Sequence, residues 1–260
     1  MQNSKDLRLA VLIDADNVPY SNIKGIMEEI AKYGNPTTKR IYADWTKPTV
    51  SGWKNVLLEN AITPIQQYSY STGKNATDSA MIIDAMDILY SGKVDGFCIV
   101  SSDSDFTRLA TRLREAGMLV IGIGEKKTLN PFIVACDRFI YLEILGDNDK
   151  EKEPEESAKP EVNPTKKTTR RKAKPKEPKV GRAVVKLIST SINDLADETG
   201  WAYLADVGSL IMKKQPDFDP RNFGFQKLTP LIRSINLIEI DERDTANKGI
   251  KHIYIRNKTQ

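Results

Sequence analysis

The sequence predicts an α/β domain built on a parallel sheet, followed by a small winged-helix domain, and three observations support this. Short apolar runs of β type alternate with amphipathic helical stretches over residues 7–143, which is typical of a sheet covered by helices on both faces. Residues 147–179 are charged and rich in proline. Residues 180–258 return to a helical pattern that ends in two strands. We therefore expect two folded domains joined by a linker.

The first domain is expected to form three layers, with a central parallel sheet between helices. The expected strands are Leu9–Ile13, Lys39–Trp45, Ile62–Tyr68, Gly96–Ser101, Met118–Ile123 and Phe139–Leu142. Helices are expected at about 20–33, 51–60, 76–90 and 105–116, with a shorter one after Pro131. The third helix has apolar residues at the i, i+3, i+4, i+7 spacing that is typical of a buried stripe. They are Ile82, Ala85, Met86 and Leu89.

The segment between the two domains has a composition that cannot form a core. Residues 147–161 hold seven acids and three lysines, and residues 165–179 hold eight Lys or Arg and one acid. Because so little apolar surface is available for burial, we expect a disordered linker over 147–179. Its basic half fits either a plain solubilising tether or an arm that contacts phosphates nonspecifically.

The second domain, at 180–260, is expected to contain three helices and a terminal hairpin. The helices are expected at Ala183–Thr199, Leu204–Lys213 and roughly 224–235, and the strands at Ile238–Asp241 and His252–Arg256. This order of elements is typical of a winged-helix fold. The first domain is then expected to span residues 1–146.

The composition excludes several classes of site. The chain has one histidine, His252, which argues against a Ser-His-Asp triad, a Cys-His dyad and most zinc sites. Cys98 and Cys136 lie in separate apolar runs, so we expect buried free thiols. The first residues do not resemble a signal peptide, and no run approaches the roughly 20 apolar residues of a membrane span. We expect a soluble, cytoplasmic protein that does not bind membranes.

Acidic side chains occur where two strands end and where the third helix begins. Asp14 follows the first strand, Asp103 and Asp105 follow the fourth, and Asp78 lies in the first helical turn. Since ligands bind at the carboxyl ends of parallel strands, we expect these acids to converge. Clustered carboxylates repel each other unless a cation neutralises them, and oxygen ligands suit Mg²⁺ or Mn²⁺. Such an ion can activate water for attack on a phosphodiester.

The same acids also have structural interpretations. Asp103 can cap the turn that follows its strand, and Asp78 is favoured by the helix dipole. Asp16 is expected either to face solvent or to support the site. Asp84 and Asp87 are expected on a solvated face of the third helix, opposite Asp78.

Three motifs, LIDADN, GKNATD and VSSDSDF, occur in this order. Together they resemble the NYN family of PIN-like ribonucleases, including the bacterial LabA-type proteins, and the resemblance covers roughly residues 6–145. The resemblance implies a PIN-like fold and RNA cleavage with Mg²⁺ or Mn²⁺. It assigns metal binding and catalysis to four carboxylates, Asp14, Asp78, Asp103 and Asp105. It places three further side chains at the substrate, Asn17, Ser102 and Lys74. The family's lysine is commonly followed by Gly-Val-Asp, whereas here three residues separate Lys74 from Asp78.

The segment WAYLADVGSLIMKKQPDFDPRNFGFQKLTPLI resembles the LOTUS, or OST-HTH, family of winged-helix modules. The resemblance implies binding of single-stranded or structured RNA, or of a protein partner. The side chains expected to contact phosphates are Lys213, Lys214, Arg221 and Lys227. The phenylalanines Phe218, Phe223 and Phe225 either stack on bases or belong to the core. Arg221 can instead tie its own turn through Asp217 or Asp219.

These expectations favour a metal-dependent ribonuclease whose RNA is captured by the C-terminal domain through a flexible tether. The first alternative is a noncatalytic RNA-binding or adaptor protein that keeps the fold. The second is a haloacid-dehalogenase-like phosphatase with Asp14 as nucleophile and Asp16 as acid. A nucleotide-binding interpretation of GIGEKK is weaker, because no complete glycine-rich fingerprint is present. No oligomeric state is predicted.

Overall fold

The structure of the chain is a computed structural model that describes residues 6–68, 76–145, 180–244 and 251–258. The expected linker and Lys74 lie outside the described residues.

The N-terminal domain is built on a six-stranded parallel sheet, as predicted. Its strands are β1 (Arg8–Asp14), β2 (Asn35–Ala43), β3 (Thr63–Gln66), β4 (Gly96–Val100), β5 (Leu119–Gly124) and β6 (Arg138–Tyr141). The strand order is β3-β2-β1-β4-β5-β6. This order brings the ends of β1 and β4 together at the centre of the sheet, so the loops after them share one edge.

Helices cover both faces of this sheet. They are α1 (Ile23–Ile30), α2 (Trp53–Asn60), α3 (Ala76–Ser91), α4 (Thr107–Glu115) and α5 (Asn130–Ala135). Alternate residues of β1 point to opposite layers: Ile13 packs with α1 and α2, and Leu12 packs with α3, α4 and α5. The same alternation directs Asp14 towards the layer that contains α3. The predicted three-layer PIN-like fold is confirmed.

The buried stripe of α3 differs in phase from the prediction. Its buried members are Thr77, Met81, Ala85 and Ile88. The predicted residues Ile82, Met86 and Leu89 pack against the same core but stay partly exposed. The helix is therefore rotated by about one residue, or roughly 100°. The reason is that α3 contacts β1 and β2 near one side of the sheet, so a broad arc of the helix meets protein.

The C-terminal domain is a small winged helix. Its helices are α6 (Arg182–Leu195), α7 (Leu204–Lys214) and α8 (Leu228–Arg233), and its sheet has the order β7-β9-β8 with β7 (Ala202–Tyr203), β8 (Ile238–Asp244) and β9 (Lys251–Asn257). The helix expected to reach Thr199 ends at Leu195, because Asp197 accepts hydrogen bonds from the backbone of Thr199 and Trp201 and closes a turn. The helix expected at 224–235 is shortened by Gly224, which has φ 82° and ends a preceding 3-10 turn.

Cys98 and Cys136 are buried free thiols, as predicted. In the described ranges, no helix has the length and apolar character needed to cross a bilayer.

Candidate functional site

Asp14 is the last residue of β1, and its carboxylate is almost fully buried. Only 1% of the residue is exposed. Its Oδ2 accepts hydrogen bonds from Asn17 Nδ2 at 2.6 Å and from Ser101 Oγ at 2.8 Å, and its Oδ1 accepts one from the backbone of Asp16 at 3.2 Å. Burial raises the pKa of Asp14, and these hydrogen bonds oppose the rise. The carboxylate is thus held in one orientation.

Ser101 connects Asp14 to the loop after β4. Ile13 pairs with Val100 in the parallel register, so the next residues, Asp14 and Ser101, lie side by side. Besides donating to Asp14, Ser101 Oγ accepts a hydrogen bond from the backbone of Asp103 at 3.1 Å. The position of the Asp103 loop therefore depends on the position of Asp14.

Three further carboxylates meet at this edge of the sheet. Asp78, Asp103 and Asp105 each direct one oxygen into a group whose members lie within 4.8 Å of one another. Asp103 also accepts a hydrogen bond from the backbone of Asp105 at 2.9 Å, which confirms that it caps the turn. Burial, followed by the charges of Asp14, Asp103, Asp105 and Asp16, raises the pKa of Asp78 to about 6. The part of this rise that comes from the neighbouring charges is what a bound cation would relieve.

The geometry of this acidic cluster fits a small divalent cation. Two oxygens on opposite sides of one Mg²⁺ are about 4 Å apart, since each Mg–O distance is about 2.1 Å. Neighbouring ligands of the ion are about 3 Å apart, so oxygens separated by up to 4.8 Å would have to move inward or bind the ion through a water. Asp78 and Asp103 are partly buried and Asp105 is exposed, which leaves one side open to a phosphate. Asp14 adjoins the cluster, but both of its carboxylate oxygens already accept hydrogen bonds, from Asn17, Ser101 and Asp16.

The other residues expected around the site have distinct environments. Asn17 is engaged with Asp14, and Asp16 is exposed as predicted. Ser102 turns away, and its Oγ accepts a hydrogen bond from the backbone of Glu125 at 2.9 Å. The sequence interpretation chose Ser102 and did not assign a role to Ser101. The strand register of β1 and β4 would have identified Ser101 as the neighbour of Asp14.

The prediction that Asp84 lies on a solvated face is wrong. Asp84 pairs with the guanidinium of Arg40 and accepts a hydrogen bond from the hydroxyl of Tyr42. Both partners belong to β2, and Tyr42 is fully buried. Because α3 lies over β1 and β2, its flank near β2 still faces the sheet. Asp87 is exposed, as predicted.

The basic residues expected to bind RNA in the C-terminal domain fall into two groups. Lys213 and Lys227 are exposed. Lys214 is exposed as well, but its Nζ lies 2.5 Å from Asp194 Oδ2. Arg221 lies between the carboxylates of Glu29 and Asp219. The predicted alternative, that Arg221 ties its own turn through Asp219, is therefore confirmed.

The three phenylalanines of this segment contribute to the core. Phe218 is 3% exposed, and Phe223 and Phe225 pack against the same core while remaining partly exposed. Base stacking by Phe218 is excluded by its burial.

Comparisons with known families agree with this architecture. The family model of the NYN domain matches residues 8–143, and that of the OST-HTH/LOTUS domain matches residues 178–250. No curated protein matches the chain.

Three solved structures resemble parts of the chain. A protein of unknown function from Vibrio parahaemolyticus is 21% identical, with 57% of this chain and 98% of that chain covered and a TM-score of 0.46. An uncharacterized protein from Nitrosomonas europaea is 28% identical, with coverages of 38% and 94% and a TM-score of 0.29. A fragment of a protein from Chromobacterium violaceum is 29% identical, with coverages of 33% and 87% and a TM-score of 0.26.

Proposed function

The chain belongs to the NYN domain family, whose model matches just over half of it, and from this premise we propose that it is a ribonuclease dependent on Mg²⁺ or Mn²⁺. The family is part of a nuclease superfamily. The C-terminal OST-HTH/LOTUS domain is of a type that binds RNA, which supports RNA as the substrate. The observation that carries the proposal is the convergence of Asp78, Asp103 and Asp105 beside buried Asp14.

The proposed roles follow from the environment of each carboxylate. Asp78, Asp103 and Asp105 would hold the cation, since their oxygens are close together and reachable from solvent. Asp14 would hold the Asp103 loop in position, because Ser101 donates to Asp14 and accepts from the backbone of Asp103. The cation, when bound, lowers the pKa of a coordinated water and stabilises charge on the scissile phosphate. The chain therefore needs no histidine for hydrolysis.

The contacts of Asp14 count against a phosphatase of the haloacid-dehalogenase type. A nucleophile must reach the phosphorus atom, but Asp14 is 1% exposed and both its oxygens accept hydrogen bonds. Asp16, which would be the general acid, points to solvent. Failure to hydrolyse p-nitrophenyl phosphate is therefore expected.

We propose that the chain consists of a nuclease domain at 1–146, a linker at 147–179 and a C-terminal domain at 180–260. RNA is captured by the C-terminal domain. Lys213 and Lys227 are the side chains we assign to phosphate contact there, because both are exposed, whereas the exposed Lys214 is paired with Asp194. Asn17 and Lys74 are proposed to border the substrate near the acidic cluster, whereas Ser102, whose Oγ accepts from the Glu125 backbone, is not.

The test is cleavage of a mixture of single-stranded and double-stranded RNAs in Mg²⁺, Mn²⁺ or EDTA. The wild type should cleave with either metal and not in EDTA. Asp103→Asn, which removes a ligand, should lower the rate by more than about 100-fold, and Asp14→Asn should lower it by about 10–100-fold, the range for residues that orient metal ligands. Asp87→Asn is the matched control and should keep the wild-type rate. If the wild type binds these RNAs without cutting them, the chain is a noncatalytic RNA-binding protein instead.

A further inference from the structure

The turn between α7 and α8, residues 216–221, lies against the edge of the N-terminal sheet, and we call it the docking turn. The backbone N–H of Phe139 in β6 donates to Pro216 O at 2.9 Å. Two residues further along β6, the hydroxyl of Tyr141 donates to Asp217 Oδ2 at 2.7 Å. The docking turn thereby partners an edge strand whose outer N–H groups would otherwise be open.

At the end of the docking turn, Arg221 joins carboxylates from the two domains. Its Nη1 and Nη2 donate to Oε2 and Oε1 of Glu29 in α1, both at 2.8 Å. Its Nε and Nη2 donate to Oδ1 and Oδ2 of Asp219 at 3.0 and 2.7 Å. Glu29 is 3% exposed and Asp219 is 4% exposed. Paired donors of this kind fix the relative orientation of the groups as well as holding them together.

A fourth charge extends the network on the side of the N-terminal domain. Arg138, the first residue of β6, donates from Nη2 to Asp219 Oδ2 at 3.2 Å and from Nε to the hydroxyl of Tyr33 at 2.7 Å. Two guanidinium groups thus alternate with the two buried carboxylates Glu29 and Asp219. Each of these four charges contacts an opposite charge from the other domain. Such matched pairs favour a single relative orientation of the two domains.

From these contacts we infer that the C-terminal domain is a docked module rather than a freely tethered one, and that Arg221 is the residue that positions it. The N–H donors of Arg221 are directed at Glu29 and Asp219. Arg221 therefore joins the two domains, although it lies in the segment expected to bind RNA. Glu29 is the complementary surface on the N-terminal domain.

The docked arrangement has a consequence for cleavage that rests on the proposed function. The module abuts β6, and β6 lies two strands from β4, whose loop carries Asp103. With strands about 4.8 Å apart, this lateral offset is roughly 10 Å. RNA held by the module is therefore presented to the acidic cluster from a fixed place. The cut should fall within a narrow range of distances from the bound element, whereas a tethered module would scatter the cuts.

The docking is tested in the full-length chain without reference to activity. Cys98 and Cys136 are fully buried, so spin labels attach selectively at cysteines introduced as Lys54→Cys and Ser209→Cys, both exposed. We expect one narrow distance distribution by double electron–electron resonance in the protein without further changes. Arg221→Ala should add a second, broader population.

A second variant guards against misfolding of the docking turn. Glu29→Gln lies in the other domain, leaves the pair of Arg221 and Asp219 intact, and should also broaden the distribution. Arg233→Ala is the control, because its partner Glu242 lies in the same domain, and its distribution should stay narrow. A broad distribution without either change, or a narrow one in both Arg221→Ala and Glu29→Gln, overturns the inference.

Cleavage mapping on an end-labelled RNA then tests the consequence. The wild type should cut at a few adjacent positions, and Arg221→Ala should cut over a wider range. Identical positions in a variant shown to be undocked would overturn the fixed presentation of RNA. If the wild type does not cut at all, the proposed function fails, while the distance measurement still decides the docking.

Discussion

Ser101 Oγ lies 2.8 Å from Asp14 Oδ2 and donates a hydrogen bond to it across two neighbouring strands of the sheet. Both residues are essentially inaccessible to solvent. The contact joins the end of β1 to the loop that carries Asp103, so the geometry of the acidic cluster depends on a pair beneath it. Several consequences of this arrangement can be measured.

Ser101→Ala should impair cleavage more than Ser102→Ala. The first change removes a donor to Asp14 and an acceptor for the backbone of Asp103, and we expect a loss of about 10-fold or more, the range for groups that orient metal ligands. The second removes only an acceptor for the Glu125 backbone. Initial rates across a Mg²⁺ titration would measure both. A larger loss in Ser102→Ala would contradict the assignment.

Metal should stabilise the wild type and fail to stabilise Asp103→Asn. Repulsion among Asp78, Asp103 and Asp105 is relieved either by a cation or by removal of one charge. In EDTA, Asp103→Asn should therefore melt at a higher temperature than the wild type. Mg²⁺ at about 100 times its Kd should stabilise the wild type by about 2.7 kcal/mol.

Thermal melting above pH 6 is the measurement, because the pKa of Asp78 is about 6 and metal binding needs the carboxylates ionised. Asp87→Asn should respond to Mg²⁺ as the wild type does. Equal shifts in Asp103→Asn and the wild type would remove Asp103 from the cation site.

Asp84→Asn should destabilise the fold, and Asp87→Asn should not. Asp84 carries the charge that faces Arg40 and accepts from the buried hydroxyl of Tyr42, so we expect a loss of about 1–3 kcal/mol. Asp87 is exposed, and its change should stay within about 0.5 kcal/mol. Urea unfolding followed by circular dichroism would measure both. Equal midpoints for the two variants would mean that the contacts of Asp84 contribute nothing.

Glu29 should make the stability of the chain depend on acidity below about pH 4.5. Burial would raise the pKa of Glu29, but hydrogen bonds from Arg221 and Lys32 hold it at about 2, compared with its ordinary value of 4.5. The folded state binds fewer protons than the unfolded state between these values. The stabilisation is therefore complete above pH 4.5 and is lost as the pH falls to 2, amounting to about 3 kcal/mol.

The acid dependence is measured as the melting temperature across this pH range. Glu29→Gln should have a lower melting temperature at pH 7 and a flatter decline towards pH 2. Glu28→Gln, a change at the exposed neighbouring residue, should follow the wild type. If Glu29→Gln declines as steeply as Glu28→Gln, the ion pair with Arg221 does not stabilise the folded chain.

The strands and the edge of the candidate site could be predicted because they depend on local pattern. The apolar runs predicted all six strands. The rule that ligands bind at the carboxyl ends of parallel strands predicted that Asp78, Asp103 and Asp105 lie at one edge of the sheet, as they do. Periodicity was less informative for α3. Its apolar residues form a wide arc, so spacing alone left the rotation uncertain by one residue and misplaced Asp84.

The sequence by itself determined the two folds, their order and the carboxylates that end up at one edge, because repeating patterns of burial are written into neighbouring residues. Only the tertiary structure decided which side chains meet over long separations. Ser101 and Asp14 are 87 residues apart, and Arg221 and Glu29 are 192 apart. Nothing in the local pattern around Arg221 distinguishes a phosphate ligand from a partner for a buried carboxylate. Arg221 becomes the partner of a carboxylate because the docking turn packs against β6 and leaves Glu29 buried beside it.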